Sequence, residues 1–211
     1  MFSNRKLKVF LILLFLMIVL TACRDNIIED DYEGLKTDVN ILSYFPFNEG
    51  MFFDYEGEGM EYAAFTREIK HVENQHAQIH DATAGTIIAA LYSFEDDRIS
   101  IVNRQEEFYS DENIIDELME EEIIDVILKK PLEVGTSWEI GHRYKEIIAI
   151  EDEITVPAGT FYDVIKVKTE YIDQDTFTTY DYYAKNIGLI LRENIDENYK
   201  IVARLQEIRI K

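Results

Sequence analysis

The chain of 211 residues has a single cysteine, Cys23, and no second one for it to pair with. An internal disulfide is therefore excluded, and a cysteine-ligated metal would need thiolates the chain does not have. Serines are sparse beyond that point: Ser43, Ser93, Ser100, Ser110 and Ser137. None lies in Gly-x-Ser-x-Gly or Ser-x-x-Lys, and no glycine-rich phosphate loop is present. Bases are few, 21 Lys and Arg against 42 Asp and Glu, for a formal net charge of −21. So anionic a surface repels nucleic acid and anionic headgroups, and it names no partner. Carboxylates are numerous enough that any glycosidase pair picked from them would be arbitrary.

Long apolar runs are equally scarce, with one at Val9–Leu20. Its twelve residues fall short of the ~20 needed to cross ~30 Å of hydrocarbon. Arg5, Lys6 and Lys8 precede it without an acid, and small residues follow it, which is the layout of a secretory signal. Leu20-Thr21-Ala22-Cys23 resembles the lipobox of bacterial lipoproteins. That resemblance implies diacylglycerol on Cys23 and cleavage before it, so residues 1–22 read as signal peptide. Two or more acyl chains make a stable anchor where one is marginal. Residues 23–41 follow as an acidic tether, and a flexible stretch of ~17 residues reaches roughly 20–25 Å. With its only thiol lipidated, the domain at 42–211 must be held by its core. About 170 residues suffice for that, burying roughly 70% of the unfolded surface. Its 13 Tyr and 12 Phe can fill much of that core.

The domain reads as mainly β, an α+β chain with one helix. Alternation places strands near 51–55, 60–72, 75–81, 86–94, 98–108, 137–150, 153–156, 160–171, 176–184, 187–193 and 199–210. In the strand at 160–171, Asp163 falls on the apolar parity of Phe161, Ile165 and Val167, which a bulge would resolve. Tyr180, Tyr182 and Ala184 alternate with Thr179, Asp181 and Tyr183. Ile114, Ile115, Leu118, Ile123, Ile124 and Ile127 approximate helical spacing, so a helix is expected over Asp111–Leu128. Lying apolar side down, it would cover part of a curved antiparallel sheet of some nine strands, with aromatic side chains filling the rest.

A short pattern occurs twice. Pro46-Phe47-Asn48-Glu49-Gly50-Met51-Phe52-Phe53 aligns without a gap on Pro131-Leu132-Glu133-Val134-Gly135-Thr136-Ser137-Trp138. Each gives Pro, a turn glycine, then an aromatic that enters a strand and plugs the core. Two similar entries into one sheet system are expected. The second copy, with Val156-Pro157-Ala158-Gly159-Thr160-Phe161 and the run Tyr182–Ile190 containing Gly188, resembles a group of uncharacterised bacterial envelope lipoproteins. The likeness covers roughly Pro131–Lys211 well and the first half loosely. It implies a curved antiparallel sheet or half-barrel and no activity, because the matching residues are turn formers and core aromatics.

Candidate chemistry is thin. His71, His76 and His80 cluster near Glu73 and Asp81, but on a strand His76 and His80 stand ~13 Å apart. Glu95-Asp96-Asp97, Glu120-Glu121-Glu122 and Asp173-Gln174-Asp175 lack the turn glycine and spacing of a calcium loop. No metal site, cofactor or catalytic residue is assigned. The expectation is a non-enzymatic protein on the extracytoplasmic face of the cell membrane, anchored through Cys23, that binds or supports another envelope component. Two other readings stay open: a carrier or sensor of an apolar ligand in the concavity of the sheet, and a hydrolase of unknown type.

Overall fold

The computed structural model describes residues 40–45, 47–115, 122–172 and 177–210. The lipobox Leu20-Thr21-Ala22 with Cys23, and nearly all of the tether, lie outside the described residues. From residue 38 onward the chain forms one compact unit. It is a twelve-stranded antiparallel sheet: β1 (Met51–Glu58), β2 (Phe65–Glu73), β3 (His76–Ala82), β4 (Ile87–Phe94), β5 (Arg98–Gln105), β6 (Asp125–Lys129), β7 (Ser137–Ile140), β8 (Arg143–Val156), β9 (Gly159–Tyr171), β10 (Thr178–Ala184), β11 (Gly188–Ile195) and β12 (Lys200–Ile210). The spatial order is β6-β5-β4-β3-β2-β1-β12-β11-β10-β9-β8-β7. Two six-stranded meanders thus join through β1 and β12, and the sheet curls into a nearly closed barrel.

The mainly β reading therefore holds, with twelve strands in the sheet. The expected covering helix does not. Of Asp111–Leu128, residues 116–121 lie outside the described set, Asp111–Ile114 are irregular, and Asp125–Leu128 belong to β6. Four consecutive buried residues in β6 show no alternation, so periodicity could not separate this strand from a buried helix. Elsewhere the pattern serves better. Asp163 takes a left-handed φ of 53° and is exposed beside the buried Val164 and Ile165, but the expected bulge is not there: β9 keeps its register across Asp163, and the shift in this ladder lies at Ile147/Ala149 on β8.

The repeated pattern marks a deeper correspondence between the meanders. Gly50 and Gly135 have φ of 81° and 93°, a region that favours glycine. Gly50 N donates to Ile69 O on β2, and Gly135 N donates to Ile147 O on β8 (2.9 and 2.8 Å). In both copies the next residue donates back to the carbonyl two before the glycine, Met51 to Asn48 and Thr136 to Glu133, each at 3.1 Å. Pro46 itself is outside the described residues. Register extends the match. Beside Ile69 and Ile147 each ladder skips one residue, Lys70 in β2 and Ile148 in β8. A second skip falls at Val102 in β5 and at Ile190 in β11, opposite Leu91/Tyr92 and Tyr182/Tyr183. Bulges bend a strand and increase its twist, so matched bulges curl both halves alike.

Side chains close the seam between the outermost strands. On β6, Val126 O accepts from Trp138 Nε1 of β7 at 3.0 Å and from Lys145 Nζ of β8 at 3.1 Å, and Ile124 O, just before β6, accepts from Arg143 Nη2 at 2.9 Å. Exposed edge strands carry unmet backbone groups, and these donors meet them without a ladder. One end of the barrel is plugged by the chain's own entry. A 3-10 turn at Ile41–Tyr44 leads into Phe45, whose ring lies 5.9 Å from Tyr92 and 5.5 Å from Tyr183. Those two tyrosines are equivalent by register, so Phe45 sits between matching positions of the two halves. Outside the barrel, Ile114 and Ile115 cover Ala89, Leu91 and Val102. Gln78 ties this segment down, donating to Glu112 O and accepting from Ile114 N.

Trp138 is 6% exposed. Its emission should be blue-shifted and should redden on urea unfolding. Trp138→Ala should cost about 3–5 kcal/mol. Trp138→Phe, which keeps most packing but withdraws the bond to Val126, should cost about 1–3 kcal/mol. Emission at the solvated wavelength in the native protein would contradict this closure.

Candidate functional site

The aromatic filling expected of the core occupies the plugged end. Toward the other end a cavity of about 370 Å³ remains inside the barrel. Its wall includes Ile88, Ala90, Tyr92, Ile101, Ile127 and Ile201, with Tyr171, Phe177 and Tyr199. Among the described residues, five bases line the same space, Arg67, Arg104, Arg143, Lys145 and Arg192, against three acids, Asp81, Asp125 and Asp181. A cationic surplus is unexpected in a chain whose formal charge is −21. The cavity is of a size that takes small ligands.

Strand parity places these groups. Arg67 shares an inward face with Ile69, Asp81 with Ile79, and Lys145 with Ile147, all buried or lining the cavity. On β10 the inward parity is Thr179, Asp181 and Tyr183, not the apolar set. Tyr180 and Tyr182 face outward, where Lys166 Nζ lies 5.0 and 4.9 Å from their ring centres. Arg67 grips Asp81 with two hydrogen bonds of 2.7 Å. Arg192 grips Asp181 with bonds of 2.6 and 2.9 Å, and Tyr183 Oη donates to the same carboxylate at 3.3 Å. Such forked pairs are the stronger and more directional class of ionic hydrogen bond. Burial raises the Tyr183 pKa well above its ordinary value, with Asp181 adding to the effect. Burial also raises that of Tyr92.

Lys145 is buried and donates to Asp125 Oδ2 at 2.9 Å, while Oδ1 lies 2.8 Å from the same nitrogen but out of hydrogen-bonding line. Arg143 Nη1 shares that carboxylate at 3.0 Å. Burial outweighs Asp125 and lowers the Lys145 pKa. Arg104, on β5, is exposed at the cavity wall and forms no ion pair with another described residue.

The two meanders explain this uneven pairing. Counting by register from the matched bonds of Ile69 and Ile147, Arg67 corresponds to Lys145 and Asp81 to Thr169. One strand further, Ala90 corresponds to Asp181, and Arg104 opposite Ala90 corresponds to Arg192 opposite Asp181. Each meander therefore sets two bases and one acid on these four positions, with the acid in a different place. Arg67 and Arg192 find it. Lys145, facing Thr169, takes Asp125 from β6. Arg104 faces the methyl of Ala90.

The residues singled out in the sequence lie elsewhere. Pro131, Gly135 and Trp138 form the entry to β7 at the seam. Pro157 and Ala158 make the two-residue turn before Gly159 (φ 144°), and Ala158 N donates to Leu205 O at 3.0 Å. Phe161 packs against the core beyond that turn. Gly188 (φ 91°) starts β11, where a Cβ would sit 3.5 Å from Tyr44 O. These are architectural positions. His80 meets Gln78 and the edge of Phe108, His71 meets Asp111 O, and no group of three or more His, Cys, Asp or Glu able to hold a metal occurs among the described residues. Asp97 and Glu95 pair with Arg98. Glu120, Glu121 and Asp173–Asp175 are outside the described residues. The cavity bases and acids were missed because charge defaults to the outside. The available signal was Arg67 and Lys145 each two residues before an isoleucine in phase with the core.

A family profile described as DUF3108-like matches residues 106–206, which is 101 of the 211 residues. It takes in the stretch from Pro131 in which the sequence resemblance is strongest. Comparison with curated proteins finds no match. Among solved structures, the chain is similar to a Bacteroides fragilis protein provisionally described as exported, with a YmcC-like fold. The identity is 16% and the TM-score 0.47, over 78% of this chain and 98% of that one. It is also similar to a Parabacteroides distasonis protein provisionally described as a lipoprotein, at 17% identity and a TM-score of 0.45, over 79% and 98%. No helix among the described residues is long and apolar enough to cross a membrane.

Asp125→Asn should cost about 3–5 kcal/mol at pH 7, because it leaves a buried ammonium without its counter-charge. The Lys145 pKa in the folded state lies below that of the unfolded chain. The unfolded state therefore binds more protons between the two values, and stability rises with pH across that window. Without Asp125 the folded value falls further and the window widens. Urea titrations should show the deficit of Asp125→Asn shrinking between pH 7 and pH 10. A deficit constant over that range would show that Lys145 carries no buried charge.

Proposed function

We propose that this protein is a lipid-anchored, non-enzymatic binding protein of the bacterial envelope. In this reading Cys23 holds it on the extracytoplasmic face of the cell membrane, and the barrel takes a component of that compartment into its cavity. The observation that carries the binding role is the cavity of about 370 Å³, with the exposed Arg104 on its wall and filled by no side chain of the described residues. The lipobox supports the anchor. The lining supports binding over catalysis: among the described residues it contains no serine, cysteine or histidine, and Asp81 and Asp181 have both oxygens held by an arginine. A purely apolar cargo fits this lining poorly, since it would strip water from charged groups without replacing those contacts.

Two measurements test the reading. Protein made in its native host should partition into detergent, and Cys23→Ser should abolish that partitioning or remain uncleaved. Identical aqueous behaviour of the two would refute the anchor. Native mass spectrometry of protein released gently from host membranes should show a stoichiometric small molecule. Ala90→Leu, which fills cavity space without adding charge, should reduce its occupancy at least tenfold. A bare mass for the wild type would refute the binding role.

A further inference from the structure

We propose that Arg104 and Ala90 form the seat for an oxyanion, a carboxylate or a phosphate, carried by a ligand whose apolar body lies against Ile88, Ile101 and Ile201. The inference rests on the cavity being a ligand site and adds the chemistry of what enters it. Its basis is the correspondence between the meanders. Opposite Arg192, β10 supplies Asp181, and the pair closes on itself with two hydrogen bonds. Opposite Arg104, at the same register and beside the same bulge, β4 supplies Ala90. The arginine is kept and its carboxylate is absent.

What stands in that place is space, since Ala90 and Arg104 both line the cavity. Directly opposed residues of an antiparallel pair project from one face of the sheet. A guanidinium offers a planar fork that matches the two oxygens of a carboxylate or phosphate. A ligand oxyanion there would take the part that Asp181 plays in the other half. Arg143, half-buried and lining the same cavity from across the seam, adds positive charge, and its partner Asp125 is already shared with Lys145. Among the described residues the cavity carries five bases against three acids, a surplus that attracts negative charge. Beside the seat, Ile88, Ile101 and Ile201 give the ligand an apolar wall. An amphiphile with an anionic head satisfies both parts of this lining, whereas a free inorganic anion uses one.

The test is calorimetric titration of the full chain in phosphatidylcholine nanodiscs, with empty nanodiscs as the blank. The probes are octanoate, octyl phosphate, 1-octanol and inorganic phosphate. Octanoate or octyl phosphate should bind once per chain, at least tenfold more tightly than 1-octanol and than inorganic phosphate. Arg104→Gln alters an exposed side chain and should weaken the anionic probe at least tenfold while leaving 1-octanol unchanged. Ala90→Asp restores the carboxylate found in the other half and should exclude the anionic probe in the same way. Equal binding of 1-octanol and octanoate, or an Arg104→Gln protein with unchanged affinity for both anions, would overturn the oxyanion seat and leave the cavity a ligand site. Inorganic phosphate binding as tightly as octyl phosphate would overturn the amphiphile. Absence of binding by every probe would overturn the inference, while the co-purified mass decides the binding role separately.

Discussion

The buried ammonium of Lys145 is the contact on which the barrel depends. A twelve-stranded meander has two free edges, and here they meet without a backbone ladder between β6 and β7. Lys145 reaches from β8 to Val126 O and to Asp125 on β6, and Trp138 donates to the same carbonyl from β7. Removing two charges from water is costly, and the arrangement is stable only because each group finds several partners at once. Lys145, Asp125 and Arg143 of this seam also line the cavity, so seam and cavity share residues.

The correspondence between the meanders turns a list of buried charges into a pattern. The bulges at Lys70 and Ile148, and at Val102 and Ile190, fall at matching positions, so the chain curls in the same way twice. At matching positions of the cavity the bases recur, Arg67 with Lys145 and Arg104 with Arg192, and the acids do not; at the plug the tyrosines recur. Tyr92 and Tyr183 both flank Phe45, whereas Asp81 faces Thr169 across the correspondence and Ala90 faces Asp181. A buried charge deprived of its partner is normally a strong liability. Arg104 avoids that cost by standing at the exposed wall, where it is solvated until something replaces the water.

Much of the fold was legible in the sequence, because antiparallel strands with one buried face alternate and turns carry their own residues. Gly135, Gly159 and Gly188 take the left-handed backbone their positions suggested. The Asp111–Leu128 segment misled for a definite reason: Ile114 and Ile115 belong to a cluster outside the barrel, and β6 is buried along its whole apolar run. A period cannot be read across two different environments. The cavity was hidden by the ordinary expectation that charge faces water. Asp181 alternates with Tyr180 and Tyr182, and which of the two sets faces inward depends on the barrel, not on the strand. The repeated Pro-to-aromatic pattern was the visible tip of the internal correspondence. Its continuation through Arg67 and Lys145 is a matter of register, and no run of identical residues carries it.

Arg104 lacks the carboxylate that its counterpart Arg192 has, and in our proposal a ligand supplies it. The most direct measurement is a crystal structure of protein taken from native membranes without exchange of bound molecules. Density for an oxyanion should stand within hydrogen-bond distance of Arg104, beside Ala90, in the place that corresponds to the Asp181 carboxylate. Arg104 turned to bulk solvent, with ordered water alone filling the space beside Ala90, would contradict it.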